Sequence, residues 1–194
     1  MIDIIILCQI KMSSTSTLVF FGLGNPETCR QNTFHNVGFW FLNYLAEKYQ
    51  FPEFQNQGKF SMSSKEIFGY NLYLIKPMTG MNSAGEVAEA CKQQNYIFEN
   101  TETIVIYDDL DLELGDYRIG RWRGGSHNGL RSLFSYIGRD FLRIRIGNLW
   151  KKKPSEGISV YDFVLSDLSQ STSRFIKIQF PELEEKVLSV NLFS

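Results

Sequence analysis

The chain has 194 residues, 43% of them hydrophobic and 21% charged, the size and make-up of one globular domain with enough apolar side chains for a full core. Those proportions exclude a disordered chain, a collagen-like repeat and a coiled coil. Lys and Arg number 20 against 21 Asp and Glu, a formal charge of -1 that taken alone argues against a nucleic-acid partner.

The charges are unevenly placed. Residues 99–116 carry seven acids (Glu99, Glu102, Asp108, Asp109, Asp111, Glu113, Asp116) and no base. Residues 118–153 carry ten bases (Arg118, Arg121, Arg123, Arg131, Arg139, Arg143, Arg145, Lys151, Lys152, Lys153) against one acid, Asp140. The average hides a dipole. Three cysteines, Cys8, Cys29 and Cys91, form no C-x-x-C pair, so neither a disulfide framework nor a thiolate zinc site is expected. Two histidines in the whole chain argue against a His-rich metal site, and no metal or other cofactor is expected.

In chain order, Met1 to Ile10 is apolar but far short of the roughly 20 residues that span a bilayer. Asp3 does not suit a secretory signal, and no Arg precedes Arg30, which does not suit a mitochondrial presequence. Met12, ahead of the polar run Ser13 to Thr17, is a plausible true start, so residues 1–17 are expected to be a disordered or mis-started extension and residues 18–194 the domain. No clear targeting signal separates a cytoplasmic from a mitochondrial location. Leu18 to Gly22 reads as a buried strand feeding the turn Gly22-Leu-Gly-Asn-Pro26. Val37, Trp40, Phe41, Tyr44, Leu45 and Tyr49 recur at three- and four-residue spacing and predict an amphipathic helix over 36–49.

Residues 60–64 and 71–75 predict a hairpin, and a helix follows to Gln93, capped by Asn82 or Ser83. Thr103 to Tyr107 is a second buried strand, expected to stop at Asp108-Asp109. Tyr117 to Gly120 and Leu142 to Ile146 predict strands, with a helix over 128–137 opened by Asn128 between them. Residues 160–165 read as a short helix or strand and residues 173–190 as one closing helix. Strands alternating with helices make an α/β fold, a three-layer α/β/α domain whose hairpin makes the central sheet mixed. In such sheets the site lies outside the carboxyl ends of the strands, where Asn25 and Asp108 are expected.

Among the polar clusters at these junctions, Gly22-x-Gly24 opens a dinucleotide fingerprint, but its third glycine falls on Glu27, an anion where a pyrophosphate would approach. Gly124-Gly-Ser-His-Asn128 lacks the second glycine of a nucleophile elbow. A hydrolase that activates water needs less: a histidine base, a carboxylate that fixes its tautomer, and amide donors for a developing oxyanion. His35 or His127, Asp108, and Asn25, Asn82 or Asn128 supply those types. Each histidine is equally compatible with a structural role.

Six motifs in order narrow the choice: Phe21 to Pro26, Thr33-Phe-His-Asn-Val-Gly38, Lys76 to Asn82, Asp108 to Leu112, Gly125 to Arg131 and Arg143-Ile-Arg-Ile-Gly147. Together they resemble the bacterial-type peptidyl-tRNA hydrolase family from about Leu18 to about Leu168. The resemblance implies a monomeric enzyme that cleaves the ester between peptide and tRNA without a metal. By position, it implies His35 as the catalytic histidine and Asp108 as the acid that bonds it. Asn25, Asn82 and Asn128 match the site asparagines, and Met81 the apolar wall beside them. The basic segment then suits tRNA phosphates, through Arg118, Arg121, Arg123, Arg131, Lys151, Lys152 or Lys153. Arg143 and Arg145 share one strand face and are alternatively ion-pair partners. Glu27, Arg30, Phe34, Gly80 and Ser126 depart from the family pattern, and the loop before His127 is shortened. The same fold serves organellar intron-splicing factors, so a non-catalytic RNA-binding protein is the alternative, and no membrane partner is expected.

Overall fold

A computed structural model of the chain describes residues 16–26, 30–67, 69–96, 101–149 and 159–189. Seven strands form one sheet: β1 (Ser16–Gly22), β2 (Gln55–Asn56), β3 (Phe60–Ile67), β4 (Tyr70–Pro77), β5 (Thr101–Glu113), β6 (Tyr117–Gly120) and β7 (Leu142–Leu149), in the order β2-β3-β4-β1-β5-β7-β6. The inner strands β4, β1, β5 and β7 run parallel, and β2, β3 and β6 join antiparallel at the two sides, so the sheet is mixed as expected.

Parallel inner strands are covered on both faces and need unbroken apolar runs. Leu18 to Phe21 and Ile104 to Tyr107 supply them, each residue at most 2% exposed. Their alternation sorts two cores. Leu18, Phe20, Ile104, Ile106 and Ile144 face α1 (Val37–Lys48) and the closing helices α5 (Gln170–Lys177) and α6 (Phe180–Ser189). Val19, Phe21, Val105 and Tyr107 face α2 (Ala84–Gln93) and α3 (Asn128–Ile137), which gives the three layers. A fully buried Phe such as Phe21 or Phe41 contributes about 2 kcal/mol relative to an exposed one. A one-turn helix, α4 (Val160–Val164), lies between β7 and α5.

The chain leaves β1 toward β4 and leaves β5 toward β7, in opposite directions, so a crevice opens between the carboxyl ends of β1 and β5. Two glycines bring a helix directly onto that edge. A Cβ at Gly22 would stand 2.7 Å from the Gly38 carbonyl oxygen, and one at Gly38 would stand 2.4 Å from that of Leu23 and 2.6 Å from that of Ile106. The first turn of α1 therefore touches backbone to backbone, and the 3-10 turn Phe34–Asn36 preceding it is delivered to the crevice.

Several expectations are corrected. Ser16 and Thr17 belong to β1 and not to an extension, because they pair with Tyr70 and Asn71 of β4; residues 1–15 lie outside the described residues. β5 does not stop at Asp108: it bulges between Asp109 and Glu113 and continues beside a β7 that reaches Leu149. Polar Asp108 to Asp111 resembles a turn in sequence, but backbone pairing with β7 overrides it. The expected closing helix is two helices, broken at Ile178–Gln179 before Pro181, which has no N–H to continue a helix and fits the first turn of a new one. Ser83 makes no side-chain cap, and α3 is capped by His127, not Asn128. Among the described residues no helix is long and apolar enough to cross a membrane.

Candidate active site

Loop residues after β1 are fixed by a reciprocal pair. The Asn25 backbone N–H donates to Asn36 Oδ1 at 2.7 Å, and Asn36 Nδ2 donates back to the Asn25 carbonyl at 3.0 Å. Asn25 Oδ1 in turn accepts the Met81 N–H at 3.3 Å. Buried Asn25 thus ties together the β1 loop, the turn carrying His35 and the start of the second 3-10 turn, Met81–Ser83.

Asp108 reaches the crevice from β5 with only 3% of its surface exposed. Its Oδ1 accepts from His35 Nδ1 at 2.8 Å and His127 Nε2 at 3.1 Å, and its Oδ2 accepts from Asn148 Nδ2 at 2.7 Å. Burial by itself would push this carboxyl up; the charges and hydrogen bonds of His35 and His127 outweigh it and hold Asp108 well below the usual carboxylate range. An ionised carboxylate accepts only, so both histidines present N–H to it. His127 Nδ1 also accepts the Gly129 N–H at 3.1 Å, which occupies its second nitrogen. No hydrogen bond among the described residues occupies His35 Nε2. Of the two histidines, His35 alone keeps a lone pair for a proton.

The ligand atoms of His35, Asp108 and His127 lie within 4.8 Å of one another, the spacing of a metal site. The tautomers oppose that use. A metal on His127 Nε2 would force a proton onto Nδ1, against the Gly129 N–H that points at it.

The site opens into a cavity of about 790 Å³ whose lining includes His35, Asp108, Trp122, Arg123, His127, Asn128, Arg143, Arg145 and Tyr161. His35, Asp108, Asn128 and Arg123 are therefore brought together. Asn25, Met81 and Asn82 are outside that lining: Asn25 and Met81 are buried, with Met81 Sδ 2.7 Å from where a Gly129 Cβ would be, and Asn82 is exposed. Arg118 and Arg131 are exposed on β6 and α3. Arg121 is already forked by Glu102, at 2.7 Å to each carboxylate oxygen, and by Asp140 at 3.2 Å. Arg145 pairs with Asp109 at 2.7 Å, as its alternative reading allowed, whereas Arg143 has no carboxylate partner among the described residues. Lys151, Lys152, Lys153 and Glu27 lie outside the described residues. Phe34 is buried and stacks on Phe163, with ring centroids 5.3 Å apart, joining the His35 turn to α4.

Sequence reasoning missed Asn36, Asn148 and the shared use of Asp108 by both histidines. The Asn36 signal was present, because His-Asn occurs twice; Asn148 is visible only once β7 is known to run past Ile146.

An ionised carboxylate holding a histidine whose other nitrogen serves a pocket at the carboxyl ends of an α/β sheet is the equipment of a hydrolase that activates water. Residues 19–191 match the family model for peptidyl-tRNA hydrolase. The peptidyl-tRNA hydrolase of Bacillus subtilis (strain 168) is 39% identical over 173 residues, 88% of this chain and 86% of that protein. That of Aliarcobacter butzleri (strain RM4018) is 42% identical over 151 residues, 77% and 78% of the two chains. The crystal structure of peptidyl-tRNA hydrolase from Acinetobacter baumannii superposes with a TM-score of 0.74 at 30% identity, covering 92% of this chain and 90% of that one. The chain belongs to the peptidyl-tRNA hydrolase family.

Proposed function

We propose that this protein cleaves peptidyl-tRNA, the hydrolysis its family membership supports, by a water that His35 activates and Asp108 orients. The observation that carries the reading is the 2.8 Å bond from His35 Nδ1 to Asp108 Oδ1, which turns the lone pair of Nε2 to catalytic use. His35 Nε2 takes a proton from water as the oxygen attacks the ester carbonyl carbon. The tetrahedral intermediate collapses, the carbon–oxygen bond to the terminal ribose breaks, and the proton on His35 passes to the leaving ribose oxygen. General-base help of this kind contributes roughly 10²- to 10⁴-fold.

Asn128, on the cavity, and exposed Asn82 offer amide donors for the developing oxyanion. Buried Asn25 and Met81 support the substrate side from beneath. Exposed Arg118, Arg123 and Arg131, with Lys151, Lys152 and Lys153, take tRNA phosphates. His35, Asp108, Asn25, Asn82 and Asn128 come from one domain, which supports a monomer, and the Gly129 N–H on His127 Nδ1 favours a reaction without metal; the compartment is one where translation runs, cytoplasm or mitochondrion. The non-catalytic RNA-binding alternative is not favoured, since the relatives that match so much of the chain are hydrolases. Release of the blocked amino acid from N-acetyl-aminoacyl-tRNA, lost in His35→Ala with the fold retained, is the test; intact substrate at every enzyme concentration would reject the reading.

A further inference from the structure

Asp108 is held from behind by a residue outside every role given above. β7 continues past Ile146, the register partner of Asp108, through Gly147 to Asn148. A side chain at Gly147 is excluded, because its Cβ would stand 2.0 Å from the Glu113 carbonyl oxygen. The bulged end of β5 closes over that glycine, with the Gly147 N–H donating to the Asp116 carbonyl at 2.8 Å. The next side chain, Asn148, is 0% exposed. Its Nδ2 donates to Asp108 Oδ2 at 2.7 Å, and its Oδ1, also buried, has no hydrogen-bond partner among the described residues. Turning the amide over would set Oδ1 against an ionised carboxylate, so Asp108 dictates the orientation. A buried amide that leaves one end unsatisfied is a burden on the fold, and what it secures lies at its other end.

We propose that Asn148 is a positioning residue for the hydrolysis: by clamping Oδ2 it fixes the plane of the Asp108 carboxylate, so that Oδ1 alone meets His35. The inference rests on His35 as the base. Without the clamp, the carboxylate turns about its Cβ–Cγ bond and the ring of His35 follows it away from the attacking geometry. Among the described residues, the charged and titratable groups around Asp108 are His35 from the turn before α1, His127 before α3, Tyr107 and the Asp109–Arg145 pair on β5 and β7, and Arg143 on β7. Asn148 adds no charge to that set.

Asn148→Leu and Asn148→Asp test this, with kcat and KM measured separately on N-acetyl-aminoacyl-tRNA across pH and melting followed by circular dichroism. Leucine keeps the four side-chain heavy atoms and the branch at Cγ, although its methyl groups are larger, and removes the orphaned acceptor along with the donor. The expected result is kcat lower by about 10- to 100-fold, KM within about two-fold, and melting within a few degrees of wild type. Aspartate keeps the shape: protonated, the introduced carboxyl donates to Asp108, and ionised, it repels it. Its kcat/KM is therefore expected to fall with rising pH over a range where wild type does not. Should the leucine variant not fold, that profile decides. Unchanged kcat in Asn148→Leu, or a wild-type-shaped profile in Asn148→Asp, overturns the inference. His35→Ala, run beside them, separates the two ideas: if it stays active the base assignment has failed, and if it is dead while both Asn148 variants behave as wild type only the clamp has failed.

Discussion

His35 and His127 donate to the same oxygen of Asp108 through opposite ring nitrogens, His35 by Nδ1 at 2.8 Å and His127 by Nε2 at 3.1 Å. Their rings stand edge to face with centroids 5.0 Å apart. The asymmetry ranks them, because the Gly129 N–H fills the remaining nitrogen of His127 only.

His35→Ala is expected to lose about 10²- to 10⁴-fold in kcat and to recover part of it with added imidazole, which can enter the space vacated beside the cavity. His127→Ala loses less and gains nothing from imidazole, since its ring supports Asp108 and the start of α3. Single-turnover release of the N-acetyl amino acid measures both. Equal rescue of the two variants would reject the ranking.

Asp108 links the site to acid stability. Its folded-state pKa is held below the unfolded value of about 3.9, so its contribution is complete above about pH 4 and is lost as pH falls through the folded value. Asp108→Asn is expected to be less stable at pH 7 by on the order of 3 kcal/mol and to have a flatter stability curve in acid. Urea unfolding between pH 2 and 7 checks this (~0.5-unit steps). Parallel curves for the two proteins would exclude Asp108 as the source of the slope.

Much of this arrangement was legible in the sequence, for identifiable reasons. Unbroken apolar runs gave β1 and β5, and three- and four-residue periodicity gave α1, since burial on one or both faces leaves that imprint. Residue types made Asp108 legible as the carboxylate and left His35 and His127 as alternative bases; the resemblance to the family singled out His35. The continuation of β5 through Asp108 to Glu113 was not, because the pairing that overrides a polar run is with β7, about 40 residues later in sequence and set by backbone geometry. Asn148 stayed invisible for the same reason. Arg121 was grouped with its basic neighbours, and only the fold brings Glu102 and Asp140 to it.

That distinction among arginines is measurable. Reversing the charge at Arg123, which lines the cavity, is expected to weaken tRNA binding and lower the salt slope of log K by about 1. Arg121→Glu instead breaks a fork already neutralised by two acids, so its slope changes by much less while its stability falls. Filter-binding titrations over a series of salt concentrations give both slopes. An equal drop for the two would show that the fork opens to receive phosphate.

Lys76 gives a prediction at alkaline pH. Its ammonium donates to Asn43 Oδ1 at 2.5 Å and lies 3.5 Å from the Phe54 ring centroid, and burial pushes its pKa down to about 8. Between that value and about 10.4 the unfolded chain binds more protons at this lysine, so its contribution makes stability rise with pH. Cys91 and Tyr107, both pushed up to about 12 by burial, act in the opposite sense and are shared by wild type and variant. The difference in unfolding free energy between wild type and Lys76→Met is therefore expected to grow in favour of wild type from pH 8 to about 10.4. A difference that is constant over that range would place the ammonium in water.

Arg143 is fully buried, its guanidinium bonded to the Gly124 and Arg139 carbonyls at 2.5 and 3.2 Å and set 5.0 and 4.8 Å from the Phe134 and Phe141 ring centroids. Dissolved ions quench exposed charges within a Debye length of about 8–10 Å, but they cannot approach a cation walled in by carbonyls and rings. A phosphate in the cavity does not share that shelter, since the salt around it still screens its attraction to Arg143 and its own counterions must still be released. What burial keeps constant is the wall itself: a guanidinium gripped by two carbonyls and flanked by two rings holds its place whatever the ionic strength outside.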